Sequence, residues 1–275
     1  MSRRLQTKMS NLTSMPRVLT IAGSDSGAGA GIQADLKTFA ANGVYGTSVI
    51  TAITAQNTLR VTEVLEIPAS LVASQIDSVL GDIGTDSVKT GMLFSSEIVS
   101  CVAQKLVDYE VGKIVVDPVM IAKGGDELLQ KEAIDALREI LIPMATVVTP
   151  NVPEAVALTG IDIVDDFSAK KACKILQKMG AETVVLKGGH LKGRAASDLF
   201  YDGSTFKTFT TKRVDTKNTH GTGCTFASAV AAGLAKEETP ILSVSNAKTY
   251  VTGAILNNFS VGMGHGPLNH FYEHW

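Results

Sequence analysis

Cys224 closes the run Asn218-Thr219-His220-Gly221-Thr222-Gly223-Cys224, directly ahead of Thr225 and the apolar stretch FASAVAAGLA. A Gly-Thr-Gly turn that opens a helix aims backbone N–H groups and the positive end of the helix dipole at one point. Such a point binds phosphate and stabilises the charge that develops during phosphoryl transfer. A cysteine in a first helical turn is expected to have its thiol pKa lowered from about 8.5 into the range of roughly 3.5 to 7.5. The thiolate would then accept a proton from a substrate hydroxyl. Gly221, Thr222, Gly223 and Cys224 are therefore candidate catalytic residues; a small thiol packed at the start of a helix is the alternative.

A second glycine-rich turn runs from Gly23 to Gly31 after the apolar stretch RVLTIA. Gly29, Gly31 and Ala34 satisfy the G-x-G-x-x-A spacing of dinucleotide-binding folds. However, no acid stands near Thr51 to Gln56, where a ribose would need one. The chain also lacks the G-x-x-x-x-G-K-[ST] phosphate loop. The turn therefore reads as a place where a small ligand approaches backbone groups at the edge of a sheet, or where glycines allow close helix packing. Asp35 lies near the start of the next helix, where an acid complements the dipole. Gln56 ends a strand and points into the same crevice; its amide can pair with a heteroaromatic ring edge, and the same residues also fit a turn signal. Asp117 ends the strand KIVV and Glu154 begins the helix after TVVTPN. Two carboxylates at neighbouring strand ends suit Mg²⁺, which keeps several waters. As isolated residues they also fit a turn residue and a helix-start charge. Lys187 ends the strand TVVL ahead of two glycines, where a solvated lysine is the alternative.

These groups must be carried by an alternation of apolar runs and helical patterns. Strands are expected over 17–22, 47–55, 87–90, 113–116, 145–149 and 183–186. Helices are expected over 31–41, 69–79, 97–107, 127–141, 153–158, 169–179, 222–235 and 241–257. Uninterrupted Val/Ile runs indicate strands covered on both faces. Repeated β-then-α units imply right-handed crossovers and a parallel sheet between helix layers. The exception is 198–214, where polar-apolar alternation around Asp202-Gly203 predicts a β-hairpin. The fold class is α/β, three layers, with a mainly parallel central sheet.

The composition agrees with that class: 275 residues, 45% hydrophobic, 5% aromatic, 19% charged, with a net charge of −2. The near-neutral balance argues against nucleic acid as a partner. Three cysteines without a CxxC pair exclude a disulfide framework and point to a reducing, cytoplasmic setting. No apolar run is long enough to span a membrane. The first seventeen residues carry four basic groups and no acid but no apolar signal core. Residues 1–16 are expected to be a flexible leader, or alternatively an organellar transit peptide, ahead of one domain over 17–275. His265, His270 and His274 lack acidic or thiol partners in a metal-binding pattern.

The segments AGSDSGAGAGIQADLKTF, TAQNT, KTGML, DPVM, TPNVPEA, LKGGH and NTHGTGCT occur in this order between residues 22 and 225. In this combination the chain resembles the hydroxymethylpyrimidine/phosphomethylpyrimidine kinases of thiamine biosynthesis, within the ribokinase-like superfamily. The resemblance implies an ATP- and Mg²⁺-dependent kinase that phosphorylates 4-amino-5-hydroxymethyl-2-methylpyrimidine and then its monophosphate. It implies that Gly23, Asp35, Gln56, Met92 and Val119 line the pyrimidine pocket and that Cys224 is the base. It further implies that Gly221, Thr222 and Gly223 form the anion hole. Asp117, Asn151 and Glu154 would organise Mg²⁺ and its waters, with Asn151 and Lys187 on the nucleotide side. A homodimer is implied as well. The rival readings are a pyridoxal kinase, a non-catalytic small-molecule binder on the same fold and, more remotely, a dinucleotide oxidoreductase.

Overall fold

The computed structural model describes residues 15–120, 131–188 and 195–274. Nine strands form one sheet in the order β3-β2-β1-β4-β5-β6-β7-β8-β9. They are β1 (Arg17–Asp25), β2 (Tyr45–Gln56), β3 (Val61–Glu66), β4 (Ser87–Thr90), β5 (Ile114–Val116), β6 (Val147–Val148), β7 (Thr183–Lys187), β8 (Ala195–Tyr201) and β9 (Phe206–Lys212). The six strands from β2 to β7 run parallel, while β3, β8 and β9 pair antiparallel at the edges.

The helices are α1 (Gly31–Ala41), α2 (Ala69–Leu80), α3 (Ser96–Asp108), α4 (Lys131–Ala136), α5 (Val152–Thr159), α6 (Asp166–Lys178), α7 (Thr222–Ala235) and α8 (Pro240–Leu256). They form two layers, because successive strand side chains point to opposite faces. Leu19, Ile21, Ile114, Val116, Val184 and Leu186 pack toward α2 through α6. Val18, Val115, Val147 and Val185 pack toward α1, α7 and α8. The uninterrupted Val/Ile runs are thus split between two cores, as a doubly covered parallel sheet requires.

The expected hairpin is β8–β9, closed by the Asp202 carboxylate, which accepts the Ser204 and Thr205 amides. The helix expected over 127–141 begins outside the described residues. Its remainder is α4, continued by a π-helical turn over Leu137–Leu141 and a 3₁₀ turn at Ile142–Met144, where Pro143 intervenes. The strand β3 was not anticipated. Residues 1–14 lie outside the described residues, and with them nearly all of the leader reading. No helix among the described residues is long and apolar enough to cross a membrane.

Strand order reverses between β1 and β4, which opens a crevice at the carboxyl ends of the parallel strands. Gly23 to Asp25, Gln56, Asp117 and Lys187 all fall at those ends or just beyond them.

Candidate active site

The two glycine turns meet above the sheet and lock into each other. Asp25 closes the first turn by accepting the amides of Gly27 at 2.8 Å, Gly29 at 3.1 Å and Ala30 at 2.8 Å. The same carboxylate bonds His220 Nε2 at 2.8 Å, reaching across to the second turn. Gln56 Nε2 lies 3.3 Å from that ring nitrogen. Burial opposes charge on Asp25, but the His220 bond and the Ala30 and Gly27 amides outweigh it, holding the carboxyl below the usual range. Gly221 adopts φ +81°, and a Cβ there would overlap the Gly29 carbonyl oxygen. Glycine is therefore required at Gly221 by both its backbone conformation and the close approach.

Gly221 is also the N-cap of α7, and no side chain accepts the first amides of that helix. The Thr222 amide reaches the Thr219 carbonyl at 3.4 Å, and those of Gly223 and Cys224 face a ligand at the positive end of the dipole. Cys224 sits in this turn, where the nearby Gly31 amide of α1 favours its charged form. The expected lowering of its pKa does not occur. The side chain is partly open to the crevice, yet burial pushes the thiol up to about 11, against the nearby Lys89 ammonium and with help from Asp35 and Asp117. The magnitudes explain the correction. A helix terminus contributes up to about 2 kcal/mol, roughly 1.5 pKa units, whereas full burial can shift a group by about 3 to 5 units.

Asp35 lies beneath the crevice and does not line it, in contrast to its expected place in the pyrimidine pocket. It is fully buried and accepts Thr20 Oγ1 at 2.6 Å, Ser228 Oγ at 2.6 Å and Lys89 Nζ at 2.9 and 3.0 Å. One turn into α1, its side chain points down onto the sheet, where these donors use both oxygens. Lys89, also fully buried, does line the crevice. Burial disfavours its charge, but Asp35, Cys224 and Asp117 outweigh that effect and hold it protonated.

Asp117 Oδ1 accepts Lys187 Nζ at 2.7 Å and Thr149 Oγ1 at 3.2 Å. Its Oδ2 is buried without a hydrogen-bond partner. A Cβ on Gly223 would stand 3.7 Å from that oxygen and 3.2 Å from Lys187 Nζ, so the phosphate turn, the lysine and the carboxylate are neighbours. Asn151 caps α5 with its side chain, and Glu154 returns a carboxylate oxygen to the Asn151 amide at 2.7 Å. Burial pushes the Glu154 carboxyl up to about 7; Lys187 opposes this and Asp117 adds to it.

An orphaned carboxylate oxygen beside a second, charge-disfavoured carboxylate fits a hard divalent cation. Among the described residues no group of three or more His, Cys, Asp or Glu could hold a metal unaided. The pair therefore fits Mg²⁺ completed by water and phosphate oxygens.

A cavity of about 720 Å³ joins these groups. Gly23, Gln56, Met92, Val119, Asp117, Asn151, Glu154, Lys187 and Gly221 to Cys224 all line it. Sequence reasoning did not select Lys89, Asp25 or His220. The wall at the other end was also missed: Thr211 to Val214 from the hairpin, with Lys248, Val251 and Thr252 from α8. The position of His220 next to the Gly-Thr-Gly turn was the available signal for that residue. Lys89, inside a buried strand, offered none.

A sequence model of the family described as phosphomethylpyrimidine kinase matches residues 25–269. The chain belongs to that family. It is 51% identical over 265 residues to the hydroxymethylpyrimidine/phosphomethylpyrimidine kinase of Haemophilus influenzae, covering 94% of this chain and 98% of the relative. It is also 51% identical over 253 residues to the thiamine biosynthesis bifunctional protein ThiED of Geobacter sulfurreducens, covering 92% of this chain. The match spans only about half of that longer relative, 52% of its length. Among solved structures, the pyridoxal kinase from Staphylococcus aureus in complex with AMP-PCP and pyridoxal superposes with a TM-score of 0.88 at 38% identity, covering 95% of each chain. This family member is a phosphotransferase with the ribokinase-like α/β fold.

Proposed function

We propose that this chain transfers the γ-phosphoryl group of ATP to the hydroxymethyl oxygen of 4-amino-5-hydroxymethyl-2-methylpyrimidine, and then phosphorylates the resulting monophosphate to the diphosphate. The observation that carries the reading is the convergence of the uncapped start of α7, Cys224, Lys187 and the orphaned Asp117 oxygen in one cavity. Phosphoryl transfer demands little more than aligned oxygens and positive groups around a loose transition state.

The pyrimidine would lie between Gly23, Met92 and Val119, with its ring edge toward Gln56. Its hydroxyl would face Cys224. As the acceptor oxygen bonds to the γ-phosphorus, the bond from that phosphorus to the β,γ-bridging oxygen breaks and ADP leaves with the electron pair. The hydroxyl proton passes to the Cys224 sulfur as thiolate, and the thiol later releases it to solvent. In a loose transition state that proton leaves late, which suits a base whose resting thiol is pushed up rather than down. The α7 amides receive the transferring phosphoryl oxygens, and Lys187 neutralises the phosphate chain from the Asp117 side. Asp117 and Glu154 would hold Mg²⁺, with Asn151 close by, and the cation would supply charge neutralisation on the phosphates. Asp35 contributes here from beneath, through the network it shares with Lys89.

The experiment is a panel of hydroxymethylpyrimidine, its monophosphate, pyridoxal and pyridoxine, with products read by mass. Two successive phosphates on the pyrimidine are expected. A single phosphate confined to the pyridoxal-type substrates would overturn the assignment in favour of the activity named for the structural neighbour. ATP left unconsumed by all four would favour a binding module.

Assembly as a homodimer belongs to the same proposal. The β3 edge of the sheet leaves Ile53, Leu59 and Leu65 exposed, and light scattering tests whether a second copy covers it. A cytoplasmic location, without membrane or nucleic-acid partners, completes the reading.

A further inference from the structure

The thiol of Cys224 stands one helical turn from a contact that joins α1 and α7. Residues four apart on a helix stack on one face. On α1 these are Gly31 and Asp35; on α7 they are Cys224 and Ser228. One turn below Cys224, Ser228 Oγ donates to Asp35 Oδ1 at 2.6 Å and so joins the two helices beneath the thiol. Lys89 enters from the sheet against this contact, with its ammonium 2.9 and 3.0 Å from the two Asp35 oxygens. Lys89 also lines the cavity that holds Cys224.

A buried lysine in a strand end is costly unless its charge is held in place. Asp35, itself fixed by Thr20 and Ser228, holds it there, and Ser228 stands one helical turn from Cys224 on α7. We infer that Lys89 is a charge-positioning residue for the phosphoryl transfer: its ammonium, clamped by Asp35, favours the thiolate of Cys224 as the acceptor hydroxyl loses its proton. The inference rests on Cys224 acting as the base.

Among the described residues, charged groups acting on the sulfur come from four elements: Lys89 on β4, Asp35 on α1, Asp117 after β5 and Lys187 at the end of β7. The two aspartates disfavour the thiolate, and Lys187 is already paired with Asp117 at 2.7 Å. Lys89 therefore provides the main opposing charge. Its own counter-ion, Asp35, also accepts two hydroxyl bonds, which disperse the negative charge.

The test compares iodoacetamide alkylation at Cys224, read by peptide mass across pH 7 to 10, with steady-state kinetics of the same full-length variants. Lys89→Met is expected to slow alkylation at pH 8 about tenfold or more and lower kcat by a similar factor, with KM for ATP within twofold. Lys89→Arg should recover most of both. Asp35→Asn leaves the ammonium and removes the opposing carboxylate, so it should speed alkylation. A purely structural role would move the two single-site variants the same way, whereas a charge role moves them in opposite directions. An unshifted alkylation profile in folded Lys89→Met overturns the inference. If that variant does not fold, an unchanged or slower rate in Asp35→Asn overturns it. If Cys224→Ala keeps full turnover while Lys89→Met still slows alkylation, the base assignment fails and the Lys89–thiol coupling stands.

Discussion

A cysteine is an unusual choice of base, and its surroundings determine how it can serve. A general base contributes about 10² to 10⁴-fold, so Cys224→Ala should lower kcat within that range. ADP affinity, measured by calorimetry, should stay within twofold, because the α7 amides and Lys187 are untouched. The pH dependence follows from the direction of the thiol shift. With the thiol pushed up to about 11, its thiolate fraction grows tenfold per pH unit below that value. The kcat/KM of the free enzyme should therefore climb through pH 7 to 9 without a plateau from this group, and the climb should vanish in Cys224→Ala. Cys224, Asp117, Glu154 and Lys187 were legible in the sequence because each abuts a glycine, a proline or a strand end that marks the crevice. Lys89 and the buried placement of Asp35 were not. A buried ion pair between residues 54 apart leaves no local pattern, and an acid near a helix start reads as a dipole partner first.

At the scale of elements, what positions the site is the docking of two glycine turns. Gly221→Ala would force a side chain onto φ +81° and into the Gly29 carbonyl. Strain of that kind costs about 1 to 3 kcal/mol before the overlap is counted. The expected result is a loss of at least about 2 kcal/mol in urea denaturation, together with a fall in kcat, because the α7 amides and Asp25–His220 separate. Retained kcat with normal stability would show that the turns need not touch. The helices with strong caps and the buried strands followed directly from periodicity, and the predicted start of α7 matches the one observed. Strand β3 escaped because VTEVLE lacks clean alternation, with Val64 and Leu65 adjacent and Glu63 and Glu66 three apart, on a half-exposed edge where β2 supplies the pairing. Such pairing is a tertiary contribution that propensity does not contain. The hairpin was legible from its turn chemistry, but its service as a cavity wall was not, since only the folded sheet brings Thr211 to Val214 over Lys187 and α8.

The whole molecule is tied together by its C-terminal segment, which returns beneath the site. His220 donates its amide to Gly266 at 3.0 Å, and Asn269 donates to the Ala254 carbonyl at 3.1 Å. Tyr250 bonds the His270 carbonyl at 2.7 Å, and the His270 ring meets Thr225 Oγ1 at 3.0 Å, one residue past the candidate base. This histidine is a buried packing group held against the first turn of α7. Burial, reinforced by the Lys37 charge, lowers its pKa to about 4. An unfolded chain protonates the same ring near 6.5, so as pH falls from about 6.5 to 4 the unfolded state gains a proton that the folded state refuses. Stability contributed by the neutral ring is present above this window and is lost on descending through it. Between pH 7 and 5 the loss amounts to about 2 kcal/mol from this residue alone. His270→Gln keeps a hydrogen-bonding side chain without the titration, so its unfolding free energy should change by about 2 kcal/mol less than that of the wild type over the same interval. Chemical denaturation at the two pH values measures this directly, and equal slopes for both proteins would show that the ring titrates freely in the folded state. Because the same ring holds the start of α7, acid should also erode nucleotide binding in step with the loss of stability, and the variant should resist both.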